Sequence, residues 1–153
     1  MNDDNELIIW TTKLSCGIKL IDDQHRGLVD LVNEMFNHVT GNHVQERDYF
    51  NNVIHQAIEY VKYHFSTEEK ILLVTDFCDY AKHKKEHDHF VLTIIESVRE
   101  YEAGERFTLS SFTRFLRDWI LSHIALMDRE YFEHIQKISV RKPDGRLSIN
   151  LED

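Results

Sequence analysis

Apolar residues recur at helical spacing through most of the chain and divide it into four amphipathic segments. Steps of three and four residues return to the same face of a helix, so this repeat predicts helices that each bury one face. The pattern places the helices at about residues 22–40, 45–74, 79–103 and 108–138. Short connections between them favour antiparallel neighbours. We therefore predict an all-α fold, an antiparallel up-down-up-down four-helix bundle that forms a single domain over residues 1–153.

The two ends of the chain follow other patterns. Residues 1–21 lack a helical period but contain several large apolar side chains, which predicts an N-terminal arm packed along the bundle. The C-terminal tail, residues 139–153, contains Pro143-Asp144-Gly145 between short alternating segments. Such a turn sequence predicts a small hairpin or an ordered extension.

Residues that favour helix ends stand near the predicted boundaries. Asp22 or Asp23 can cap the first helix and Thr108 the fourth, because a short polar side chain accepts a hydrogen bond from a free N–H group of the first turn. Gly41 and Gly104 follow the first and third helices, where glycine tolerates the left-handed backbone of a helix end. These signals support the helices that the apolar period predicts.

The apolar stripe of the fourth helix breaks its own period. Continued regularly past His123, the stripe would bury Glu130 and Lys137, which is chemically implausible. A count restarted at Asp128 instead buries apolar residues such as Ile135. A slip of about one residue is what a π turn produces. We predict a widened turn between His123 and Asp128 that directs both side chains to the bundle interior.

Seven polar side chains of metal-ligand type fall on the inner faces of the four helices. They are His25, His64, Glu68, His83, His87, His123 and Asp128. An isolated pair of such residues four apart is more often a solvated helix face or a hydrogen-bonded part of the core. All seven together, without a metal, would leave two carboxylates and five imidazoles competing for partners in an apolar core. We interpret them as a metal site inside the bundle.

The size and chemistry of this set favour two metal ions. Seven ligands exceed the needs of one tetrahedral zinc and suit two six-coordinate ions. If both carboxylates and a solvent-derived oxygen bridge two irons, three histidines complete one ion and two histidines leave the other one ligand short. A small ligand would bind there. Five neutral nitrogens and two anionic oxygens stabilise high-valent iron less than carboxylate-rich sets do, which favours reversible O2 binding over strong oxidation.

Four motifs in order carry a resemblance to a known family. They are Trp10 to Gln24-His25, His64-Phe65-Ser66-Thr67-Glu68-Glu69, His83-Lys84-Lys85-Glu86-His87, and Trp119-Ile120-Leu121-Ser122-His123-Ile124 with Asp128. The chain resembles the hemerythrin family, specifically its bacterial members, over about residues 10–135. The resemblance implies two non-haem irons with a bridging oxo or hydroxo group, and O2 as the ligand.

The same resemblance implies a role for each inward residue. His83, His87 and His123 would hold one iron, His25 and His64 would hold the other and bind O2 there, and Glu68 and Asp128 would bridge. Trp119, Phe65 and Tyr131 would correspond to the pocket aromatics of the family, although ordinary core packing also explains them.

One position departs from the animal oxygen carriers of the family. Ala125 lies two residues after His123, where those carriers place a bulky leucine over the pocket. The smaller side chain is expected to open a path for water or larger ligands. We therefore expect faster O2 exchange and faster autoxidation.

Composition limits the partners. The chain has 153 residues and a formal charge of -9, with no segment rich in Lys and Arg, which argues against nucleic acid and an anionic membrane. Acidic residues precede the first apolar run, so the N-terminus lacks the basic start of a signal peptide. Cys16 and Cys78 are interpreted as free thiols of a reducing compartment. We expect a cytoplasmic protein whose protein partner, if it has one, the sequence does not identify.

These observations support one leading function and one alternative. The leading interpretation is an O2-binding protein for storage, delivery or sensing, with no catalytic residues. The alternative is a diiron enzyme of peroxidase, NO-reducing or oxidase type, in which the open iron position and Ala125 would admit a substrate.

Overall fold

Four helical rods form the bundle. The structure, a computed structural model, describes residues 6–104, 108–138, 140–141 and 147–148. Its helices are α1 (Lys19–Asn37), α2 (His43–Val74), α3 (Tyr80–Glu102), α4 (Leu109–Ser122) and α5 (Asp128–Ile138). A π-helical segment, His123–Met127, joins α4 to α5, so these two helices make up the fourth rod. The predicted all-α, antiparallel up-down-up-down four-helix bundle is confirmed. That residues 1–153 form a single domain stays a prediction.

The predicted N-cap of the first helix is wrong. Helix α1 begins at Lys19, three residues before the predicted start, and its N-cap is Ile18, which makes no side-chain capping bond. The Asp22 carboxylate lies inside the first turn and accepts hydrogen bonds from the backbone N–H groups of Cys16 (2.8 Å) and Gly17 (3.2 Å). A carboxylate there interacts favourably with the positive end of the helix dipole, so Asp22 fixes the approach of the arm from within the helix.

Other helix ends behave as predicted, with one exception. Thr108 caps α4 by accepting a hydrogen bond from the Ser111 N–H, and Gly104 follows α3 with a φ of 80°. Helix α1 ends at Asn37, so Gly41 lies within the following loop and not at the helix end. The Glu46 carboxylate accepts from the Gly41 N–H at 2.8 Å and so closes that loop from the start of α2.

The predicted widened turn in the fourth rod is confirmed. The N–H of Asp128 donates to the carbonyl of His123, five residues earlier. Both of these side chains are buried, and beyond the turn Tyr131 and Ile135 are buried while Glu130 is exposed. One extra residue in the turn therefore restores the apolar face of α5 to the core.

Two apolar clusters lie on either side of a polar layer. One cluster includes Leu28 of α1 and Val61 of α2, and the other includes Ile21 of α1 and Ile71 of α2. On α1, His25 lies between residues of the two clusters. On α2, His64 and Glu68 lie between them in the same way.

No helix in the described ranges combines the length and the hydrophobicity that a membrane span requires.

The arm is packed as predicted over its described part. The backbone of Ile8 makes two hydrogen bonds with the Asn33 side chain of α1, at 2.8 and 2.9 Å, and Ile8 and Leu14 are buried. In the tail, Val140–Arg141 pairs with Leu147–Ser148 as two short antiparallel strands. The predicted turn at Pro143-Asp144-Gly145 and the rest of the tail lie outside the described residues.

Candidate metal centre

All seven predicted site residues meet in one buried cluster between the four rods. Helix α1 supplies His25, α2 supplies His64 and Glu68, α3 supplies His83 and His87, and the fourth rod supplies His123 and Asp128. At most 4% of the surface of any of these side chains is exposed. Every imidazole presents Nε2 to a carboxylate.

The Glu68 carboxylate divides the histidines into two groups. Its Oε1 lies 2.9 Å from Nε2 of His25 and 2.9 Å from Nε2 of His64. Its Oε2 faces the other three imidazoles, at 3.4 Å from His83, 3.2 Å from His87 and 3.9 Å from His123. One carboxylate therefore presents one oxygen to each group of nitrogens.

The Asp128 carboxylate spans the same two groups from the opposite rod. Its Oδ1 lies 3.0 Å from Nε2 of His83 and 3.0 Å from Nε2 of His123. Its Oδ2 lies 3.4 Å from Nε2 of His25. Asp128 thus repeats the division made by Glu68, although on the side of His25 and His64 it contacts His25 alone.

Two overlapping sets of ligand atoms result. One set contains an atom from each of Glu68, His83, His87, His123 and Asp128, and the other contains an atom from each of His25, His64 and Glu68. Within each set, these atoms all lie within 4.8 Å of one another. Glu68 belongs to both sets, as a bridging ligand would.

The residues of the cluster do not satisfy one another, and they fit a pair of metal ions. Both oxygens of Asp128 are buried, and although they lie 3.0–3.4 Å from imidazole nitrogens, none of these contacts with the described residues has the geometry of a regular hydrogen bond. Nε2 of His87 is 3.0 Å from Nε2 of His123, so at most one of the two can carry a proton there. A six-coordinate ion with ligand bonds of about 2.1 Å, the length of a zinc–imidazole bond, places neighbouring ligand atoms about 3.0 Å apart. The shorter separations between nitrogen and oxygen atoms of the cluster, 2.9–3.0 Å, are close to that value.

Charge accumulates in this buried layer, and each group shifts the pKa of the others. Burial alone would lower the pKa of His25, His83 and His123, but Asp128 and Glu68 raise it to about 9, about 9 and about 10 respectively. Burial alone would raise the pKa of Glu68, but its histidine neighbours, His64 foremost, lower it well below the usual range. Without metal, the layer is therefore a network of carboxylates and imidazolium groups.

Outer partners orient some of the ligand candidates. The Gln24 amide oxygen lies 2.7 Å from Nδ1 of His64. The Tyr131 hydroxyl donates to Oε1 of Glu68 at 3.0 Å. Burial, reinforced by the nearby carboxylates, raises the pKa of Tyr131 well above its usual range, so its hydroxyl keeps the proton that it donates. These contacts do not follow from helical periodicity, because the period of apolar residues indicates which positions face inward but not which polar atoms meet.

Aromatic rings cover the three histidines of the larger set. Phe65 stacks on His87 with ring centres 3.8 Å apart, and Trp119 stacks on His123 at 4.4 Å. The Tyr131 ring meets His83 edge to face at 5.3 Å. All three predicted pocket aromatics therefore contact candidate ligands, and they separate them from solvent.

The remaining histidines have ordinary partners or exposed positions. His134 lies 2.7 Å from the Thr75 carbonyl oxygen, and His38 stacks on Tyr49. His55 and His89 are exposed on their helices. These residues lie outside the two sets of converging ligand atoms.

Comparison with known proteins gives matches across the region that contains the cluster. The family description "Hemerythrin HHE cation binding domain" matches residues 16–135 of this chain, which include all seven inward residues. A bacteriohemerythrin of Methylococcus capsulatus is 33% identical over 127 residues, covering 82% of this chain and 94% of that protein. A bacteriohemerythrin of Clostridium acetobutylicum is 28% identical over 129 residues, covering 83% of this chain and 100% of that protein.

Solved structures show the same fold. A crystal structure of wild-type hemerythrin superimposes with a TM-score of 0.71 at 32% identity, covering 83% of this chain and 96% of that chain. A single-substitution variant of hemerythrin gives a TM-score of 0.73 at 31% identity, with coverage of 84% and 97%.

Proposed function

The chain belongs to the hemerythrin family, and on that premise we propose that it binds O2 reversibly at a non-haem diiron centre. Two irons joined by a bridging oxo or hydroxo group would supply the O2-binding chemistry. His83, His87 and His123 would hold one iron, His25 and His64 the other, and Glu68 and Asp128 would bridge them. The division of both carboxylates between the two histidine groups is the observation that carries this proposal.

The protein contributes ligand chemistry and the exclusion of water. Five neutral nitrogens and two carboxylates favour reversible binding over strong oxidation, because they stabilise high-valent iron less than a carboxylate-rich set would. Phe65 and Trp119 cover the larger set of histidines with stacked rings, which removes water from that side of the centre. Glu68 and Asp128, both fully buried, provide negative charge that balances the bound cations.

The decisive experiment is metal analysis combined with visible spectroscopy. We expect two irons per chain after anaerobic loading with Fe(II), and a ligand-to-iron charge-transfer band that forms in air and disappears on deoxygenation through repeated cycles. Rapid irreversible bleaching with turnover of added peroxide would instead support the diiron enzyme. Iron at one equivalent or less would contradict the two-metal assignment.

A pair of variants on one helix tests the ligand assignment. His87→Ala removes a buried member of the larger set, and His89→Ala removes an exposed imidazole two residues later. We expect the first variant to lose iron and the reversible band, while the second retains both. Equal behaviour of the two variants would contradict the assignment.

We infer a biological role from the O2 chemistry together with the state of the two cysteines. We propose storage, delivery or sensing of O2 in the cytoplasm. Both cysteines are free thiols, Cys16 buried and Cys78 exposed, which suits a reducing compartment.

A further inference from the structure

Gln24 connects two candidate ligands of the same metal position. It precedes His25 on α1, and its buried side chain places Oε1 2.7 Å from Nδ1 of His64 on α2. An amide oxygen can only accept a hydrogen bond, so Nδ1 of His64 must donate its proton. With the proton fixed on Nδ1, Nε2 keeps a free lone pair in the neutral ring. That atom lies 2.9 Å from Oε1 of Glu68, on the side where a metal would bind.

A second hydrogen bond fixes the orientation of the Gln24 amide. The Thr67 hydroxyl donates to the Tyr63 carbonyl at 3.1 Å, which commits its proton. The Thr67 oxygen then accepts from Nε2 of Gln24 at 3.3 Å. Because the NH2 end of the amide is held by Thr67, the oxygen end must face His64.

The backbone of Gln24 is tied to α2 as well. The Tyr60 hydroxyl donates to the Gln24 carbonyl at 2.9 Å. This contact requires Gly27, because a Cβ at that position would lie 2.0 Å from the Tyr60 hydroxyl oxygen. Side chain and main chain thus fix Gln24 against α2 at the level where His25 and His64 meet.

We propose that Gln24 is a positioning residue that holds His64 as the Nδ1–H tautomer, so that Nε2 binds the metal shared with His25. This inference rests on the proposed pair of metal ions and not on O2 binding. The larger set of candidate ligands lacks an equivalent contact at His87: among the described residues its Nδ1 has no hydrogen-bond partner, and it lies 3.8 Å from the Glu69 carboxylate. Removing the amide should therefore weaken one metal position and spare the other.

Calorimetric titration with Zn²⁺ tests this selectivity. Zinc has no redox chemistry, so the result does not depend on O2. In Gln24→Met we expect one of two zinc ions to bind about 10–100-fold more weakly, the usual effect of losing an outer partner, and the other to change less than about twofold. Gln24→Glu keeps an acceptor for the Nδ1 proton and should recover most of the lost affinity. Gln56→Met, the same substitution at an exposed position of α2, should match the wild type.

Nitrogen-15 NMR of the zinc-loaded wild-type protein tests the tautomer directly, whether or not the variants fold. We expect the His64 proton on Nδ1 and zinc on Nε2. The reverse arrangement would overturn the inference, as would Gln24→Met weakening both ions equally or neither. If the wild type takes up no second zinc, the inference and the proposed metal pair both fail. If the zinc titrations gave the expected result but the iron-loaded wild type did not bind O2 reversibly, only the proposed function would be refuted.

Discussion

Binding of two divalent ions should drive protons off the histidines of the centre. In the metal-free protein the carboxylates raise the pKa of His25 and His83 to about 9 and that of His123 to about 10. At pH 7.5 these three rings carry a proton that a metal must displace, because metals bind the neutral imidazole. The carboxylates have lowered pKa values and are already ionised. We therefore expect about three protons released per chain on loading with Zn²⁺.

The number of protons is measurable by calorimetry. Zn²⁺ is titrated at pH 7.5 in buffers of different ionisation enthalpy. The slope of the observed binding enthalpy against the ionisation enthalpy of the buffer gives the number of released protons. The combined apparent affinity for both ions should also rise by about three orders of magnitude per pH unit between pH 7 and 8. His123→Gln should lower the proton count by about one, and His55→Gln, at an exposed position, should leave it unchanged. A slope near zero in the wild type would refute the charge network described above.

The same pKa values predict how pH affects the stability of the metal-free fold. A histidine whose pKa is raised in the folded state stabilises the fold below its ordinary pKa of 6.5, and that stabilisation is lost as the pH rises through 9 to 10. Glu68 and Asp128 have lowered pKa values, so they stabilise the fold above their ordinary values of 4.5 and 3.8 and cease to do so in acid. The melting temperature of the metal-free protein should be highest at about pH 4.5–6.5. With zinc bound, the melting temperature should fall less steeply as the pH rises above this range.

Three further substitutions test separate parts of the structure. Ala125→Leu should slow both O2 exchange and autoxidation of the iron-loaded protein in stopped-flow spectroscopy, and unchanged rates would exclude Ala125 as a determinant of access. Tyr131→Phe removes the donor to Glu68 and should lower the free energy of unfolding of the metal-free protein in urea by about 1.5–3 kcal/mol, the range for a hydrogen bond to a charged group; no loss would argue against that bond. Gly27→Ala should displace the Tyr60 ring, because the new Cβ would collide with its hydroxyl, and a structure of this variant that keeps the bond from Tyr60 to the Gln24 carbonyl would contradict the close packing of α1 on α2.

The fold and the convergence of the seven residues follow from information that a sequence carries. Each polar residue of ligand type falls on an apolar stripe, and a stripe fixes which face of a helix turns inward. Helices joined by short loops must bring those faces to one core. The sequence also predicts the phase slip after His123, because Glu130 and Lys137 cannot continue a buried face.

Periodicity does not determine contacts that depend on the fit between helices. The hydrogen bond from His64 to Gln24 requires a close approach of α1 and α2, and Gly27 allows such an approach by leaving room for the Tyr60 hydroxyl. The prediction that Asp22 caps α1 fails for a related reason: a carboxylate near a helix start can accept hydrogen bonds from N–H groups on either side of it. Only the path of the arm shows that Asp22 accepts from the residues before the helix.

The π turn positions residues of both the candidate site and the apolar core. The candidate ligand pairs of α2 and α3 are four residues apart, so a regular helix presents both members on one face. His123 and Asp128 are five apart, and a regular helix would leave them about 140° apart around its axis. The wider turn brings both inward and also returns Tyr131 and Ile135 of α5 to the apolar core. Because one backbone feature sets both outcomes, restoring a regular helix here could not bury Asp128 with His123 and keep the apolar face of α5 inside.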